Sequence, residues 1–301
     1  MLTFFGQQLM PGDPLFAILG VDPSENEDFA ANPEMLEELR SRYGLDQPMI
    51  VQYANYVGRL AQGDLGTSLR SKRPIIDMLK ERLPITLTLS LATYFTNVFI
   101  GIALGVVAAL RPGKVDFFAT SYAVFGAATP NFWAAILMIV VFSVWLGWLP
   151  TSGWVAPWDD FGRSLKYLAL PILANGFFGS AIIMRQTRSG LMEVLRQDYI
   201  VTARAKGLAT RTVIMRHALK NAMLPAWTVI GLSLSTLISG SVLIERVFGI
   251  PGIGRLAVDA AQTQDFPVIQ AIVIISTMAI VLANLVTDIV YGYLDPRIRV
   301  S

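Results

Sequence analysis

The sequence contains no cysteine and a single histidine, His217. Without cysteine, neither a disulfide framework nor a thiolate metal site can be argued. The histidine lies in a basic segment, which favours a solvated or interfacial role over metal ligation. Charge is also scarce: 15% of the 301 residues are Asp, Glu, Lys or Arg, whereas 53% are apolar, and the mean hydropathy is +0.52. These values are typical of membrane proteins and not of soluble domains.

The spacing of the charges is more informative than their number. Asp, Glu, Lys and Arg are absent from five runs of at least 18 residues, and a helix of roughly 20 apolar residues crosses about 30 Å of hydrocarbon. A large buried core is the alternative, but soluble domains rarely carry five such runs. We therefore predict an all-α, polytopic helical membrane protein. The five runs are 83–110, 117–158, 167–184, 221–244 and 266–287.

The basic residues predict the orientation of these spans. The loop 185–220 carries eight basic residues against two acidic ones, and Arg111 and Lys114 mark another basic loop. The short loops 149–166 and 246–267 carry two basic residues each. The positive-inside bias places the basic loops and the C-terminal tail in the cytoplasm. Because basic residues cluster in membrane-flanking loops, nucleic-acid binding is not favoured.

The expected organisation is five complete spans preceded by a truncated first helix. Residues 1–12 are too short to cross a bilayer. The segments are a partial first membrane helix 1–12, an extracytoplasmic segment 13–82, a transmembrane core 83–291 that includes a cytoplasmic loop 188–221, and a tail 292–301.

Polar and helix-breaking residues interrupt two of the apolar runs. Proline and asparagine facing lipid would leave backbone or amide groups unsatisfied, so these positions are expected to face protein or a water-filled path. Each also has a packing or interfacial explanation. The candidate path residues are Pro130, Asn131, Phe132, Trp133, Asn175 and Glu245. Separately, Gly101 and Gly105 have the GxxxG spacing that permits close helix contact.

The cytoplasmic loop has the pattern of two short helices. Asp198 is the expected N-cap of a helix that Gly207 ends in the left-handed conformation. Thr210 is the expected cap of a second helix, which runs to Ala222. Ala203 and other small side chains on the first helix would let another protein approach closely. An ordinary positive-inside loop with helical extensions is the alternative at this point.

A resemblance favours the docking interpretation. Residues 198–208, followed by 217–225, resemble the coupling loop of ABC importer permeases of the dipeptide, oligopeptide and nickel branch. One departure is Val201-Thr202-Ala203, where the general importer pattern has Glu-Ala-Ala. Matching motifs run in family order over essentially the whole chain: Pro11-Gly12-Asp13-Pro14, Tyr43-Gly44-Leu45-Asp46, Gly63-Asp64-Leu65-Gly66, Thr129-Pro130, Glu245-Arg246-Val247-Phe248, Pro251-Gly252-Ile253-Gly254 and Asp295-Pro296-Arg297.

The resemblance implies a type I importer permease in a bacterial or archaeal cytoplasmic membrane, most similar to the first of two permease subunits. Implied partners are a second permease, two ATP-binding subunits that hold ATP and Mg²⁺, and an extracytoplasmic solute-binding protein. The chain itself would need no cofactor or metal and would catalyse no reaction. The residues implied to contact an ATPase subunit are Asp198, Tyr199, Thr202, Ala203, Arg204, Ala205, Lys206 and Gly207.

Peptides are the leading substrate, with nickel, glutathione or another small solute as alternatives. A channel or secondary transporter would be expected to carry ionisable residues within its spans, and the charge-free runs argue against a proton relay. An intramembrane enzyme would need paired carboxylates, a histidine or a cysteine within a span, and the apolar runs contain none of these.

Overall fold

A computed structural model describes residues 37–38, 40–41, 46–235 and 241–294. This part of the chain is mostly helical and contains no β-strand beyond an isolated bridge between Thr67 and Pro74, so the predicted all-α class is confirmed. The predictions for the partial first helix 1–12 and for the motif of the tail lie outside the described residues.

The helices follow the order that the apolar runs predict. Helix α4 continues directly into a π-helix, Ile139–Trp145, and α7 and α8 flank a second one, Val213–Ala218. The α-helices are α1 Met49–Ala61, α2 Ile75–Leu110, α3 Lys114–Ala128, α4 Asn131–Met138, α5 Phe161–Val194, α6 Asp198–Ala205, α7 Thr210–Thr212, α8 Leu219–Ala222, α9 Leu224–Ser235, α10 Val242–Val247, α11 Ile253–Gln262 and α12 Phe266–Leu294.

Three of the described helices are long and apolar enough to cross a membrane: Ile75–Leu110, Phe161–Val194 and Phe266–Val290. A fourth span results if Lys114–Ala128 and Asn131–Trp145 are counted together. Helix α9 is apolar but shorter. The described residues thus contain three to four candidate spans, and the predicted count of five is not confirmed.

Two of the prolines in the apolar runs, Pro130 and Pro171, have different effects. Residues Lys114–Ala128 and Asn131–Trp145 are bent by 111° at the break before Pro130. The break has a local cause, because proline disfavours helical geometry in the preceding residue, and Thr129 is extended (φ −92°, ψ 123°). Pro171, in contrast, is buried inside the continuous helix α5. Of these two prolines, Pro130 lies at a change in the direction of the chain and Pro171 does not.

The described chain forms two compact units. The first comprises residues 46–84 and 256–277. Within it, the buried Asp265 carboxylate accepts hydrogen bonds from Ser68 Oγ (2.5 Å) and the Leu69 amide (3.1 Å). The Arg70 side chain donates to the carbonyl of Thr263 (3.0 Å). These bonds fasten the turn that precedes α2 to the residues just before α12.

The second unit, residues 85–255 and 278–294, is organised around α5. Small residues allow other helices to approach it closely. A Cβ atom added at Gly105 would lie 2.7 Å from the carbonyl oxygen of Met184, and one added at Gly101 would lie 2.7 Å from Ile183 Cβ. The GxxxG pair therefore lies at a tight helix contact, as its spacing predicts.

Candidate functional site

The predicted cytoplasmic loop forms a short helix, α6, that is anchored on one face. Ile200 and Ala203 are buried in an apolar cluster with Leu191, Val213 and Ala218. This cluster fixes the helix against the end of α5 and the helical segment that follows. Ala203, which was expected to let a partner approach closely, is 7% exposed, and its methyl group packs within the chain's own core.

The start of each short helix differs by one residue from the prediction. Gln197 is the N-cap of α6, in extended geometry, and Asp198 is the first helical residue. Ala209, likewise, precedes the helix that begins at Thr210. Neither cap makes a side-chain hydrogen bond. Asp198 still lies in the first turn, where a carboxylate interacts favourably with the helix dipole.

The end of α6 confirms the predicted glycine stop. Gly207 has φ +76°, in the left-handed region that glycine adopts without strain. Its amide donates to the carbonyl of Arg204 (2.9 Å), and the Leu208 amide donates to that of Ala203 (3.4 Å). A Cβ atom at Gly207 would find no atom within 4 Å. The requirement for glycine here is therefore conformational and not steric.

The other face of α6 is exposed. Tyr199 and Val201 are 42% and 58% exposed. The hydroxyl of Tyr199 accepts a hydrogen bond from Asn221 Nδ2 (3.0 Å), which ties the helix to the end of the loop. The remaining exposed residues are Asp198, Thr202, Arg204, Ala205, Lys206 and Gly207. The result is a rigid, partly basic surface between α5 and α9.

An ion pair lies near the base of this loop. Arg188 on α5 makes a two-pronged contact with Asp116 on α3, and its second nitrogen donates to Asp116 Oδ2 at 2.7 Å. Both side chains are about a quarter exposed. A paired guanidinium and carboxylate in this geometry holds α3 and α5 in register. Sequence analysis did not identify this pair.

A cavity lies within the second unit, next to the bend at Pro130. Asn131 Nδ2 donates to Asn175 Oδ1 (3.3 Å), so the structure brings two of the six predicted path residues together. Both line a cavity of about 410 Å³ between α2, α4, α5 and α9. Its lining contains Ser90, Thr93, Tyr94, Asn97, Asn131, Asn175, Phe178, Gly179, Ile182, Ile183, Val229, Leu232 and Ser233.

The other four predicted path residues do not line this cavity. Pro130, Phe132 and Trp133 are exposed on the protein surface. Glu245 is fully buried, and its carboxylate accepts hydrogen bonds from Thr86 Oγ1 (2.7 Å), Ser241 Oγ (2.9 Å) and a backbone amide.

The backbone amide bound by Glu245 belongs to Arg255, at 3.0 Å, in the first turn of α11. Thr86 Oγ1 also accepts from the Ile253 amide (2.8 Å). A Cβ atom at Gly252 would overlap the Glu245 carboxylate and Thr86. The Pro-Gly-Ile-Gly motif thus leaves room for a buried hydrogen-bonded cluster of Glu245, Thr86 and the first amides of α11, which we call the clamp. Sequence analysis did not identify this cluster.

Thr93 and Asn97 are two of the five polar cavity residues that sequence analysis did not identify. Both interrupt the apolar run of α2, and an asparagine in such a run was the signal that identified Asn175. Among the described residues, no group of three or more His, Asp or Glu side chains could hold a metal ion.

Comparison with protein families identifies the family of this chain. Residues 101–300 match the binding-protein-dependent transport system inner membrane component, and residues 1–92 match the N-terminal region of such membrane components. The chain belongs to this family. It is an inner membrane permease component, and it is a transport subunit and not an enzyme.

Individual permeases match over nearly the full length of both chains. The oligopeptide transport system permease protein AppB of Bacillus subtilis is 40% identical over 99% of this chain and 93% of its own. The di/tripeptide transport system permease protein DppB of Pseudomonas aeruginosa is 38% identical, with the same coverage. The glutathione transport system permease protein GsiC of Escherichia coli is also 38% identical and also covers 99% and 93%.

A solved structure shares the fold of this permease. A chain of the MetNI methionine ABC transporter, in an inward-facing conformation, superposes with a TM-score of 0.58. The match covers 73% of this permease and 97% of that chain at 18% sequence identity. The helical arrangement is therefore that of an ABC importer, and the identity is too low to transfer a substrate.

Proposed function

We propose that this permease is the membrane-spanning subunit of an ATP-driven importer for dipeptides or oligopeptides. The support for the substrate is that relatives at 38–40% identity, matching over almost the entire chain, carry oligopeptide and di/tripeptide transport names. In this proposal the chain forms the translocation path with a second permease. Two ATPase subunits bind ATP and Mg²⁺ on the cytoplasmic side, and a solute-binding protein delivers the peptide on the other.

The proposed topology is that of a type I importer permease with five complete spans and a partial first helix. Residues 13–82 are the extracytoplasmic segment, 83–291 the membrane core and 292–301 the cytoplasmic tail. Three long helices and the bent pair supply up to four spans. The fifth is assigned to the charge-free run 221–244, which includes the shorter helix α9.

The observation that carries the coupling role is the geometry of α6. A rigid two-turn helix ends at a left-handed glycine and exposes one face, while Ile200 anchors the other. We assign the contact with an ATPase subunit to that exposed face. Nucleotide binding and the loaded binding protein each favour particular conformations, and the permease converts between them. Ala203 would act by anchoring the helix and not by contact. The proposed contact residues are Asp198, Tyr199, Thr202, Arg204, Ala205, Lys206 and Gly207.

The translocation path is assigned to the cavity that contains Asn131 and Asn175. A cavity of about 410 Å³ with a few convergent polar groups in a mostly apolar wall is typical of a small-molecule site. Pro130 contributes by bending the chain. Phe132 and Trp133 could reach the path only where a second permease covers their exposed side chains. Glu245 contributes through the clamp at α11.

The test is uptake of a labelled dipeptide by proteoliposomes that contain this chain with its neighbouring permease and ATPase subunits. The binding protein is added outside, and internal ATP is compared with none. ATP-dependent uptake that other peptides block is the expected result. Uptake that does not require ATP would overturn the importer mechanism.

Glutathione is a second candidate substrate, because the glutathione permease of Escherichia coli is as similar as the di/tripeptide permease. Competition distinguishes the two, since a peptide importer is inhibited by unrelated dipeptides and a glutathione importer by glutathione alone. Nickel, the remaining alternative, is tested by the same assay with the metal as competitor. Inhibition by nickel alone would replace the peptide assignment.

A further inference from the structure

The polar cavity has neutral hydrogen-bonding groups and no strongly charged ones. No Asp, Glu, Lys, Arg or His contributes to its described lining. Its polar groups are hydroxyls and carboxamides, set among aliphatic and aromatic side chains: Ser90, Thr93, Tyr94, Asn97, Asn131, Asn175 and Ser233. A charged ligand group would lose its hydration here without gaining an opposite charge, which is unfavourable. A neutral polar group can exchange water for these partners.

The amide pair at the bend leaves complementary hydrogen-bonding groups for a ligand. Asn131 Nδ2 and Asn175 Oδ1 bind each other at 3.3 Å. Among the described residues, the Oδ1 acceptor of Asn131 and the Nδ2 donors of Asn175 have no other partner. A peptide bond offers one N–H donor and one C=O acceptor. The two asparagines thus present the acceptor and the donor that one peptide bond requires.

Thr93 supplies an independent indication of a ligand. This residue is 4% exposed, and its Oγ1 atom finds no hydrogen-bond partner within the described part of the chain. A buried hydroxyl in this state is uncommon in native proteins and calls for a water or ligand partner. Thr93 lines the same cavity as the amide pair.

The neighbouring Asn97 has a different role. When the side-chain amide of Asn97 is oriented with its nitrogen toward acceptors, this nitrogen donates to the backbone carbonyls of Thr93 (3.2 Å) and Gly176 (2.9 Å). Its nitrogen is therefore used to hold α2 against α5. The hydroxyls of Tyr94 and Ser233 donate to the carbonyl of Ile230 (3.4 and 2.7 Å), and Ser90 also has a partner within the chain. Thr93, Asn131 and Asn175 are therefore the groups that we assign to a ligand.

We propose that this cavity binds an uncharged peptide-bond segment of the transported molecule through Asn131, Asn175 and Thr93. The inference rests on the proposed peptide import and adds the part of the substrate that the membrane subunit recognises. A volume of about 410 Å³ lies at the low end of small-molecule sites, which fits a short segment and not a long chain. Binding through the backbone would accept peptides of differing side chains.

The experiment compares alanyl-alanine with its ester isostere, alanyl-lactate, in the complete reconstituted transporter. The ester replaces the peptide N–H with oxygen and keeps the overall shape. Every reaction contains the same binding protein. Its own preference between dipeptide and ester therefore cancels when the KM of each variant is divided by that of the wild type. The variants are Asn131→Leu, Asn175→Leu and Thr93→Val. Thr228→Val is the control, since Thr228 precedes the cavity residue Val229 on α9 but is itself exposed and outside the lining. Among the described residues, its hydroxyl bonds only the carbonyl of Leu224.

Loss of one neutral hydrogen bond is expected to raise the KM for the dipeptide about three- to tenfold. Asn131→Leu is expected to change the KM for the ester little, because the ester has no N–H to donate to Oδ1. Equal changes for dipeptide and ester would overturn the proposal and assign Asn131 to helix packing. The Thr228→Val protein is expected to match the wild type, and a comparable rise in KM there would also overturn it.

Thr93 keeps the test decisive if the asparagine variants do not fold. Since its hydroxyl bonds no described residue, Thr93→Val is expected to leave the melting temperature unchanged or higher while raising the KM for the dipeptide. Thr93→Ser restores the hydroxyl and is expected to restore the KM. An unchanged KM in Thr93→Val would refute the ligand role. If the wild type takes up no dipeptide, this inference and the proposed substrate are both overturned. If the wild type takes up the dipeptide but the variants do not change its KM, only this inference is overturned.

Discussion

Replacing Gly207 with Val tests the coupling role most directly. Gly207 has φ +76°, and open space surrounds the position of an added Cβ. The valine would therefore cause no clash with another residue, and its whole effect would come from the backbone. A β-branched residue in left-handed geometry is a strong outlier, so the chain is expected to leave that geometry. The end of α6 would then lose the hydrogen bond from the Leu208 amide to Ala203.

The size of the effect follows from the cost of the backbone geometry. A non-glycine residue held in the left-handed region costs about 1–3 kcal/mol. This corresponds to a fall of about 5- to 150-fold in the ratio of the native to the altered helix end. Because α6 is anchored by Ile200 and Ala203, the rest of the fold is expected to remain intact. The amount of uptake per ATP hydrolysed is therefore expected to fall while the protein still assembles.

The assay measures peptide uptake and ATP hydrolysis in the same proteoliposomes. Gly207→Asn is the rescue variant, because asparagine tolerates the left-handed region better than other residues. Gly113→Val is the control for backbone strain at another positive-φ glycine, whose ψ of −132° lies outside the left-handed helical region. Gly113 also has positive φ (+99°) and open surroundings, but it lies in a different loop. A normal uptake-to-ATPase ratio in Gly207→Val would refute the coupling assignment, as would an equal loss in Gly113→Val.

Three further substitutions probe the packing and the buried polar groups. Gly105→Ala places a methyl group against α5 and is expected to destabilise the protein by about 1–3 kcal/mol. Gly58→Ala, in open space on α1, is the control. Equal melting temperatures of the two variants would contradict the tight contact at Gly105. Arg188→Gln removes the partner of Asp116 and is expected to cost about 1–3 kcal/mol in thermal unfolding. Arg188→Lys should cost less, and a lysine variant no better than glutamine would mean that charge is unimportant there. Glu245→Gln keeps the size of the side chain but turns a donor toward a backbone N–H, so a lower melting temperature is expected, and an unchanged one would contradict the clamp.

Local signals in the sequence predicted the two short helices of the loop 188–221 to within one residue. The short helix, its glycine stop and the following helical segment all appear where the pattern predicts them. The caps were misplaced by one position because Asp198 and Thr210 are good capping residues whose backbone is already helical. The burial of Ala203 was not predicted for a different reason: in a short helix, the packing partners decide which face is buried, and Leu191, Val213 and Ala218 lie outside that helix.

The polar groups of the membrane core were only partly predictable. Asn131 and Asn175 were identified as asparagines in apolar runs, and their hydrogen bond spans 44 residues. Glu245 was also identified, but its partner Thr86 lies 159 residues away, and nothing in the sequence connects a threonine in one helix with that glutamate. A polar residue in an apolar run signals that it needs a partner without indicating which one.

The sequence by itself determined the class of this protein, the positions of its apolar helices and the break at Pro130. These features depend on hydropathy over a window of about 20 residues and on the backbone limits of single residues such as proline and Gly207. The tertiary structure alone decided that Glu245 is a buried clamp and that Thr93 faces the same cavity as the two asparagines. The reason is physical: contacts between helices depend on how closely and at what angle they cross, and small residues such as Gly105 set that approach through packing across the fold.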